Sequence, residues 1–233
     1  MTDCAAALKL NPKNVKALFR SAKALAALEM YAEAIDCCEH ALINDPDNKA
    51  VREEQKRIQA EFDIKEAKRK AREERERKIR EQKLKIESAL EKRGIKTAST
   101  PGYTKNHPHD IQVHDETGDI SVPTFILYPE HNESDFVQAF HEHDTIGEQL
   151  AEIFYEPAPW DSQHKYRPEK VDIYFETEDA GGNVGLMKVG LKVKLITILK
   201  HQKHILKDQL ARLIVVPKED SQWKKDWLAK YGK

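Results

Sequence analysis

The chain has 233 residues, with 39 Lys and Arg against 40 Asp and Glu, 39% hydrophobic residues and 7% aromatics. That length allows one or two domains and a sizeable core, yet so low an apolar fraction requires one part to be strongly solvated. Composition excludes a collagen, a mucin and a disulfide-rich mini-protein, and the lack of an apolar run of about 18 residues or of a signal-like start disfavours membrane insertion and secretion.

The net charge of −1 averages over unlike segments: residues 51–93 carry an excess of five positive charges, 94–176 of eleven negative and 177–233 of six positive. No glycine precedes Gly94, and of the ten prolines only Pro12 and Pro46 do. Residues 1–93 therefore read as helical and 94–233 as a mixed fold.

Pro12 and Pro46 stand 34 residues apart in matching surroundings. Ala7-Leu8-Lys9-Leu10-Asn11-Pro12-Lys13-Asn14 aligns with Ala41-Leu42-Ile43-Asn44-Asp45-Pro46-Asp47-Asn48, and Cys4 aligns with Cys38. This period resembles the tetratricopeptide repeat (TPR). Residues 15–48 fill one unit, with Leu18, Ala22 and Leu25 on its first helix and Tyr31, Ala34, Ile35, Cys38, Ala41 and Leu42 on the turn and second helix. The small residues permit close helix approach. Residues 1–14 look like the second helix of a preceding unit, so Met1 falls inside an element and the chain reads as the C-terminal fragment of a longer protein. Cys4, Cys37 and Cys38 read as reduced helix-packing thiols, in keeping with a cytoplasmic protein that is also compatible with the nucleus.

Lys16 and Arg20 lie four residues apart and project from one helix face. In repeats of the carboxylate-clamp class, the resemblance implies that these two positions grip the acidic C-terminal Glu-Glu-Val-Asp of heat-shock protein 90 or 70, with upstream repeats supplying the other donors. A chain-end carboxylate needs several charge-assisted donors, and Arg offers them as a planar fork.

Residues 49–93 predict a capping and long charged helix. Val51, Ile58 and Phe62 recur at helical spacing and cover the last repeat. Beyond them Glu61–Lys65, Glu66–Lys70, Glu73–Arg77, Glu74–Lys78, Glu76–Arg80 and Glu81–Lys85 fall in the favourable i,i+4 order, each worth about 0.2–0.5 kcal/mol in an isolated helix. An unbroken helix here would be about 65 Å long. Its a/d apolar repeat is too broken for a sustained coiled coil. Acid alternates with base and no aromatic follows Phe62, so a nucleic-acid stripe is disfavoured. Gly94 ends the helix, and 94–110, with Thr97–Pro108 at its centre, reads as a linker.

From 111 to 233 the pattern predicts an α+β domain with one sheet flanked by helices. Ser121–Tyr128 reads as a strand with Pro123 at an edge or bulge. Ser134-Asp135-Phe136 reads as a helix start followed by Ala139-Phe140, and Ile146, Leu150 and Ile153–Phe154 as a second helical face. Val171, Ile173 and Phe175 alternate as a strand, Ala180–Asn183 turns, and Met187–Leu199 alternates again. His201–Leu213 is expected to be helical, Leu213–Val216 a last strand, and Trp223 and Trp227 partners on a terminal helix. Tyr128, Phe136, Phe140, Trp160, Tyr174 and Phe175 are expected in the core.

No catalytic set emerges. Gly181-Gly182-Asn183-Val184-Gly185 lacks a following Gly-Lys-Ser/Thr and reads as a hairpin turn. On a helix, His141 and His143 would point roughly 200° apart and could not chelate one metal. The domain has no Cys and no Gly-x-Ser-x-Gly. The expectation is a protein without cofactor, metal site or enzymatic activity.

Tyr128-Pro129-Glu130, Ser134-Asp135-Phe136, Ala139-Phe140-His141-Glu142, Pro159-Trp160-Asp161, Tyr166, Pro168 and Tyr174-Phe175-Glu176 resemble the C-terminal wheel domain of the co-chaperone family of cyclophilin seven suppressor and tetratricopeptide repeat protein 4. The order of repeat, charged helix and mixed domain is similar as well. The resemblance implies a non-catalytic adaptor between a heat-shock protein and a client, here translation elongation factor 2. Candidate client surfaces are the acidic portion 130–161 and the basic residues Lys188, Lys192, Lys194, Lys200, Lys203, Lys207 and Arg212. The competing reading is an RNA- or ribosome-associated factor that uses the basic helix and basic C-terminal segment.

Overall fold

The computed structural model describes residues 2–104, 107–219 and 221–231; Met1, Asn106 and the side chain of Cys4 lie outside the described set. Two compact units are present, Met1–Arg80 and Glu81–Lys233.

The first unit is all α: α1 (Thr2–Leu10), α2 (Val15–Ala27), α3 (Tyr31–Asn44) and the first part of α4 (Lys49–Lys92). The 34-residue period appears directly in the caps. Asn14 Oδ1 accepts the Ala17 N–H at 3.1 Å, and one period later Asn48 Oδ1 accepts the Val51 N–H at 3.2 Å. A side-chain oxygen thus takes up one of the otherwise orphaned donors at each helix start. Ala22, Ala34, Cys38 and Ala41 are fully buried, which lets α2 and α3 approach closely, while Val51 and Ile58 of α4 close the same core. Phe62 packs on Tyr31 with ring centroids 6.4 Å apart. Burial, with Glu54 nearby, pushes the Cys38 thiol up to about 11, so it packs as a neutral, unreactive group.

Along α4, Glu66–Lys70 and Glu74–Lys78 pair at 3.3 and 3.4 Å as the spacing predicts. Lys65 instead reaches Glu29 at 2.7 Å, and Lys85 pairs with Asp115. At the helix end Gly94 adopts φ +67°, with its N–H donating to Glu91 O and that of Ile95 to Leu90 O. These paired bonds satisfy the last carbonyls, and the left-handed residue is one that glycine adopts without strain.

The second unit is α+β. The six-stranded mixed sheet comprises β2 (Gln112–Val113), β3 (Ile120–Tyr128), β4 (Glu133–His141), β5 (Val171–Glu178), β6 (Val184–Val189) and β8 (Ala211–Pro217). Its order is β2-β3-β8-β5-β6, with β4 antiparallel along β3 and β8 parallel to β3. Alternate residues (Ile126, Tyr128, Ile173, Phe175, Leu213, Val215) face the main core, which α5 (Ile146–Ile153), α6 (Leu195–Leu199) and Ile86, Ala89 and Leu90 of α4 complete. Tyr174, Ile214 and Val216 face the other way, against Trp223 and Trp227 of α7 (Gln222–Tyr231), whose rings stack 6.0 Å apart. The β3–β4 register shifts between Val122 and Thr124, so Pro123 sits at the bulge its missing N–H calls for. Residues 180–183 turn the β5–β6 hairpin, with Gly182 at φ +78°.

Several expectations are corrected. The helix expected from Ser134 is strand β4: the chain reverses through Asn132 (φ +53°), Phe136 pairs across with Phe125 at 5.0 Å, and Phe140 opposes Val122 and is fully buried. Cross-strand pairing outweighs the cap-like Ser-Asp signal. The helix expected over His201–Leu213 is instead a loop, the short strand β7 (Leu206–Lys207), a turn and the start of β8. Asp208 and Gln209 both take φ +58°, which no α-helix accommodates. The alternation from Met187 stops at Val189, before α6. The stretch read as a linker is tied down: Ile95 enters the main core, and β1 (Thr97–Ala98) pairs parallel with β7 as a second, two-stranded sheet. Asp208 accepts both the Thr100 N–H (2.8 Å) and its hydroxyl (2.7 Å).

Candidate functional site

On α2, Lys16 and Arg20 are both exposed and one turn apart, because Ala17, Leu18 and Ala22 between and beyond them point into the core. Among the described residues neither enters an ion pair. Lys23 extends the same stripe and lies over the Phe19 ring, 4.9 Å from its centroid. The face thus offers ammonium and guanidinium donors already held by a packed helix, with Lys16 and Arg20 in no ion pair among the described residues. An anion gains most from donors so arranged.

The basic residues of the sheet unit do not form one patch. Lys188 pairs with Asp172 and Lys207 with Glu178, each at 2.8 Å. Arg212 is half-buried on β8 opposite Phe125. Lys192 and Lys194 precede α6 while Lys200 and Lys203 follow it; these four are exposed, with no ion pair among the described residues. The acidic portion 130–161 is likewise partly structural. Asp161 is buried and accepts the Lys165 and Tyr166 N–H groups at 2.9 and 2.8 Å. Asp135 accepts the Tyr128 hydroxyl, and Glu148 closes a capping box with Thr145. Tyr128, Phe140, Tyr174 and Phe175 are buried, and Phe136 and Trp160 half-buried. Arg57, Arg69, Arg72 and Arg77 on α4 are paired with glutamates of the same helix, which removes much of the charge a nucleic-acid stripe would need.

Two buried ion pairs were not visible as sites in the sequence. Lys224 of α7 donates to Asp172 Oδ2 and to Pro217 O, both at 2.8 Å. Arg93 donates through Nε to Glu142 at 2.7 Å and also to Gly118 O, while the Ile120 N–H donates to the same carboxylate at 2.8 Å. Burial opposes ionisation of Asp172 and Glu142, but Lys188 and Lys224 on the first and Arg93 and the Ile120 N–H on the second outweigh it and hold both carboxyls below the usual range. His204 is different: burial lowers its pKa, with only Nδ1 reaching Glu176 O at 3.1 Å.

All three shifts are depressions, so their stabilisation is present above the unfolded pKa values and lost as pH falls through the folded ones. The sheet unit should therefore lose stability first below about pH 6.5, from His204, and again below about pH 4, from Asp172 and Glu142. All three tryptophans belong to this unit, so urea midpoints followed by tryptophan fluorescence report it. His204→Gln should remove the first stage and leave the second.

A helical repeat with an exposed cationic pair, followed along the chain by a charged helix and a mixed-sheet unit, defines a protein of the TPR-containing class. Residues 112–231 match the Cns1/TTC4 Wheel domain and residues 15–48 a tetratricopeptide repeat; the chain belongs to the Cns1/TTC4 family. It is 35% identical to the Hsp70/Hsp90 co-chaperone cns1 of Schizosaccharomyces pombe, over 97% of this chain and 63% of that protein. It is 33% identical to tetratricopeptide repeat protein 4 of Mus musculus, over 89% of this chain and 58% of that protein. The chain thus spans about six-tenths of the length of these relatives. Among solved structures, the Hsp90 co-chaperone Cns1 from Saccharomyces cerevisiae (delta69) aligns with a TM-score of 0.78 at 28% identity, over 100% of this chain and 75% of that one. None of the three is described as an enzyme.

Proposed function

We propose that this chain is the adaptor portion of a co-chaperone: its repeat helps to hold the acidic C-terminal tail of Hsp90, and of Hsp70, while its sheet unit engages a client protein. The observation that carries this reading is the exposed pair Lys16 and Arg20, presented one turn apart on the first helix of the repeat and in no ion pair among the described residues. The co-chaperone descriptions of the relatives support it. The client assigned here is translation elongation factor 2, on the strength of the family resemblance, with Lys192, Lys194, Lys200 and Lys203 as the exposed cations available to it. The setting is the cytoplasm.

In co-purification from cells, protein carrying the wild-type chain should recover Hsp90, and Lys16→Glu/Arg20→Glu should reduce recovery by roughly tenfold or more, since one charge-assisted contact is worth about 1.5–3 kcal/mol. Undiminished recovery would remove the clamp assignment. The same preparations report the client half: elongation factor 2 should remain bound to the double variant, and its absence from wild type at micromolar concentration would end that half.

A further inference from the structure

Of the ten prolines in the chain, only Pro101 follows a Ser or Thr, and that residue is Thr100. Ser99, Thr100, Pro101 and Gly102 are all exposed. They lie in a turn: the Tyr103 N–H donates to Thr100 O at 3.1 Å, and Gly102 takes φ +76°, as the third position of a type II turn requires. Just before this turn lies β1, whose strand partner is β7. The Leu206 N–H donates to Lys96 O at 2.8 Å, and the Asp208 N–H donates to Ala98 O at 2.9 Å. The third tie is the Asp208 carboxylate, which takes the Thr100 N–H at 2.8 Å and its hydroxyl at 2.7 Å. Burial opposes ionisation of Asp208, but the two Thr100 donors, with Arg212 and Lys207 nearby, outweigh it and hold the carboxyl below the usual range. The latch between β1 and β7 therefore closes on an exposed hydroxyl that donates to an anion.

We propose that Thr100 is a phosphoacceptor for a proline-directed protein kinase, and that its phosphorylation releases β1 from β7. A kinase whose cleft cannot satisfy a backbone N–H after the acceptor selects proline there, because proline has none. In the transfer, Thr100 Oγ1 attacks the γ-phosphorus of a nucleoside triphosphate held by the kinase. The bond from that phosphorus to the bridging oxygen breaks, and the nucleoside diphosphate leaves with its electron pair. The hydroxyl proton passes to the base of the kinase. The product has lost the hydroxyl donor and carries about 1.5–2 negative charges at pH 7. Beside Asp208, attraction thus becomes repulsion. Thr100 also opens onto a cleft of about 530 Å3 that Glu87 and Asp208 both line, so the phosphate meets a second carboxylate there. The neighbouring cations offset only part of this charge. Lys207 is paired with Glu178 at 2.8 Å and Lys83 with Glu87 at 3.8 Å, while Lys96 donates to Gln202 O at 2.7 Å.

The full chain, incubated with a cyclin-dependent or a mitogen-activated protein kinase and magnesium ATP, should take up one phosphate, located at Thr100 by tandem mass spectrometry. Pro101→Ala should slow uptake by roughly tenfold or more, and Thr100→Val should abolish it. In hydrogen exchange, the Leu206 and Asp208 amides of the phosphorylated chain should exchange roughly tenfold faster or more, with β3 and β4 unchanged. Thr100→Val removes the hydroxyl without adding charge and should accelerate them less. In Asp208→Asn, which keeps an acceptor and removes the negative charge, phosphorylation should change the exchange less than in wild type. No phosphate at Thr100 with either kinase, or unchanged Leu206 and Asp208 exchange in the phosphorylated chain, would overturn the proposal.

Discussion

Replacing Asp172 with alanine lowers the stability of the sheet unit by about 3–5 kcal/mol. Lys224 is 8% exposed, and its ammonium has two acceptors, the Asp172 carboxylate and Pro217 O. Removing the carboxylate strands a buried charge at the base of α7, where Trp223 and Trp227 cover Tyr174, Ile214 and Val216. Lys188 also loses its partner, but that side chain is exposed and returns to water at little cost. Urea titration followed by tryptophan fluorescence measures the loss. Asp172→Ala/Lys224→Met, which removes the stranded charge and keeps the side-chain length, should recover more than half of it. If Asp172→Ala alone shifts the midpoint negligibly, Asp172 does not anchor α7.

Arg93→Met has a comparable effect for the opposite reason, because it leaves a carboxylate behind. Glu142 is 2% exposed and takes donors from Arg93 and Ile120. Without the guanidinium it is buried with a single backbone donor, and the lost stability is about 3–5 kcal/mol by the same urea assay. Part of that loss is the detachment of Gly118 O, which Arg93 also holds. Adding Glu142→Gln keeps an acceptor for the Ile120 N–H and removes the charge, so the double variant should be more stable than Arg93→Met. An Arg93→Met protein as stable as wild type would show that the ion pair does not secure the end of α4.

The repeat was legible because its information is local. Caps, small residues and core positions recur within one 34-residue period, and each helix makes its own backbone hydrogen bonds. Pro123 was legible for a similar reason, since a missing N–H restricts a residue wherever the strand lies. Strand β4 and the first residues of β8 were not, because what makes them strands lies elsewhere in the chain: Phe136 needs Phe125, and Ala211 needs Thr124 on a parallel neighbour far away in sequence. Before β3 is placed, Ser134-Asp135 reads as a cap and His201–Leu213 as a helix. The angle expected between His141 and His143 assumed a helix, whereas His141 ends β4 and His143 lies in the turn that follows. Lys16 and Arg20 could be placed from the repeat register alone, whereas the basic residues from Lys188 to Arg212 could not be sorted until their acid partners were known.

In the proposed function, α2 presents Lys16 and Arg20 to a chain-end carboxylate. The most direct measurement is nuclear magnetic resonance of the chain titrated with a peptide ending in Glu-Glu-Val-Asp, against the same peptide with an amidated C-terminus. Amide shifts centred on Lys16 and Arg20, weak in affinity, are expected for the free carboxylate and should disappear for the amide and for Lys16→Glu/Arg20→Glu. Shifts of equal size with the amidated peptide, or none on α2 at saturating free acid, would contradict it.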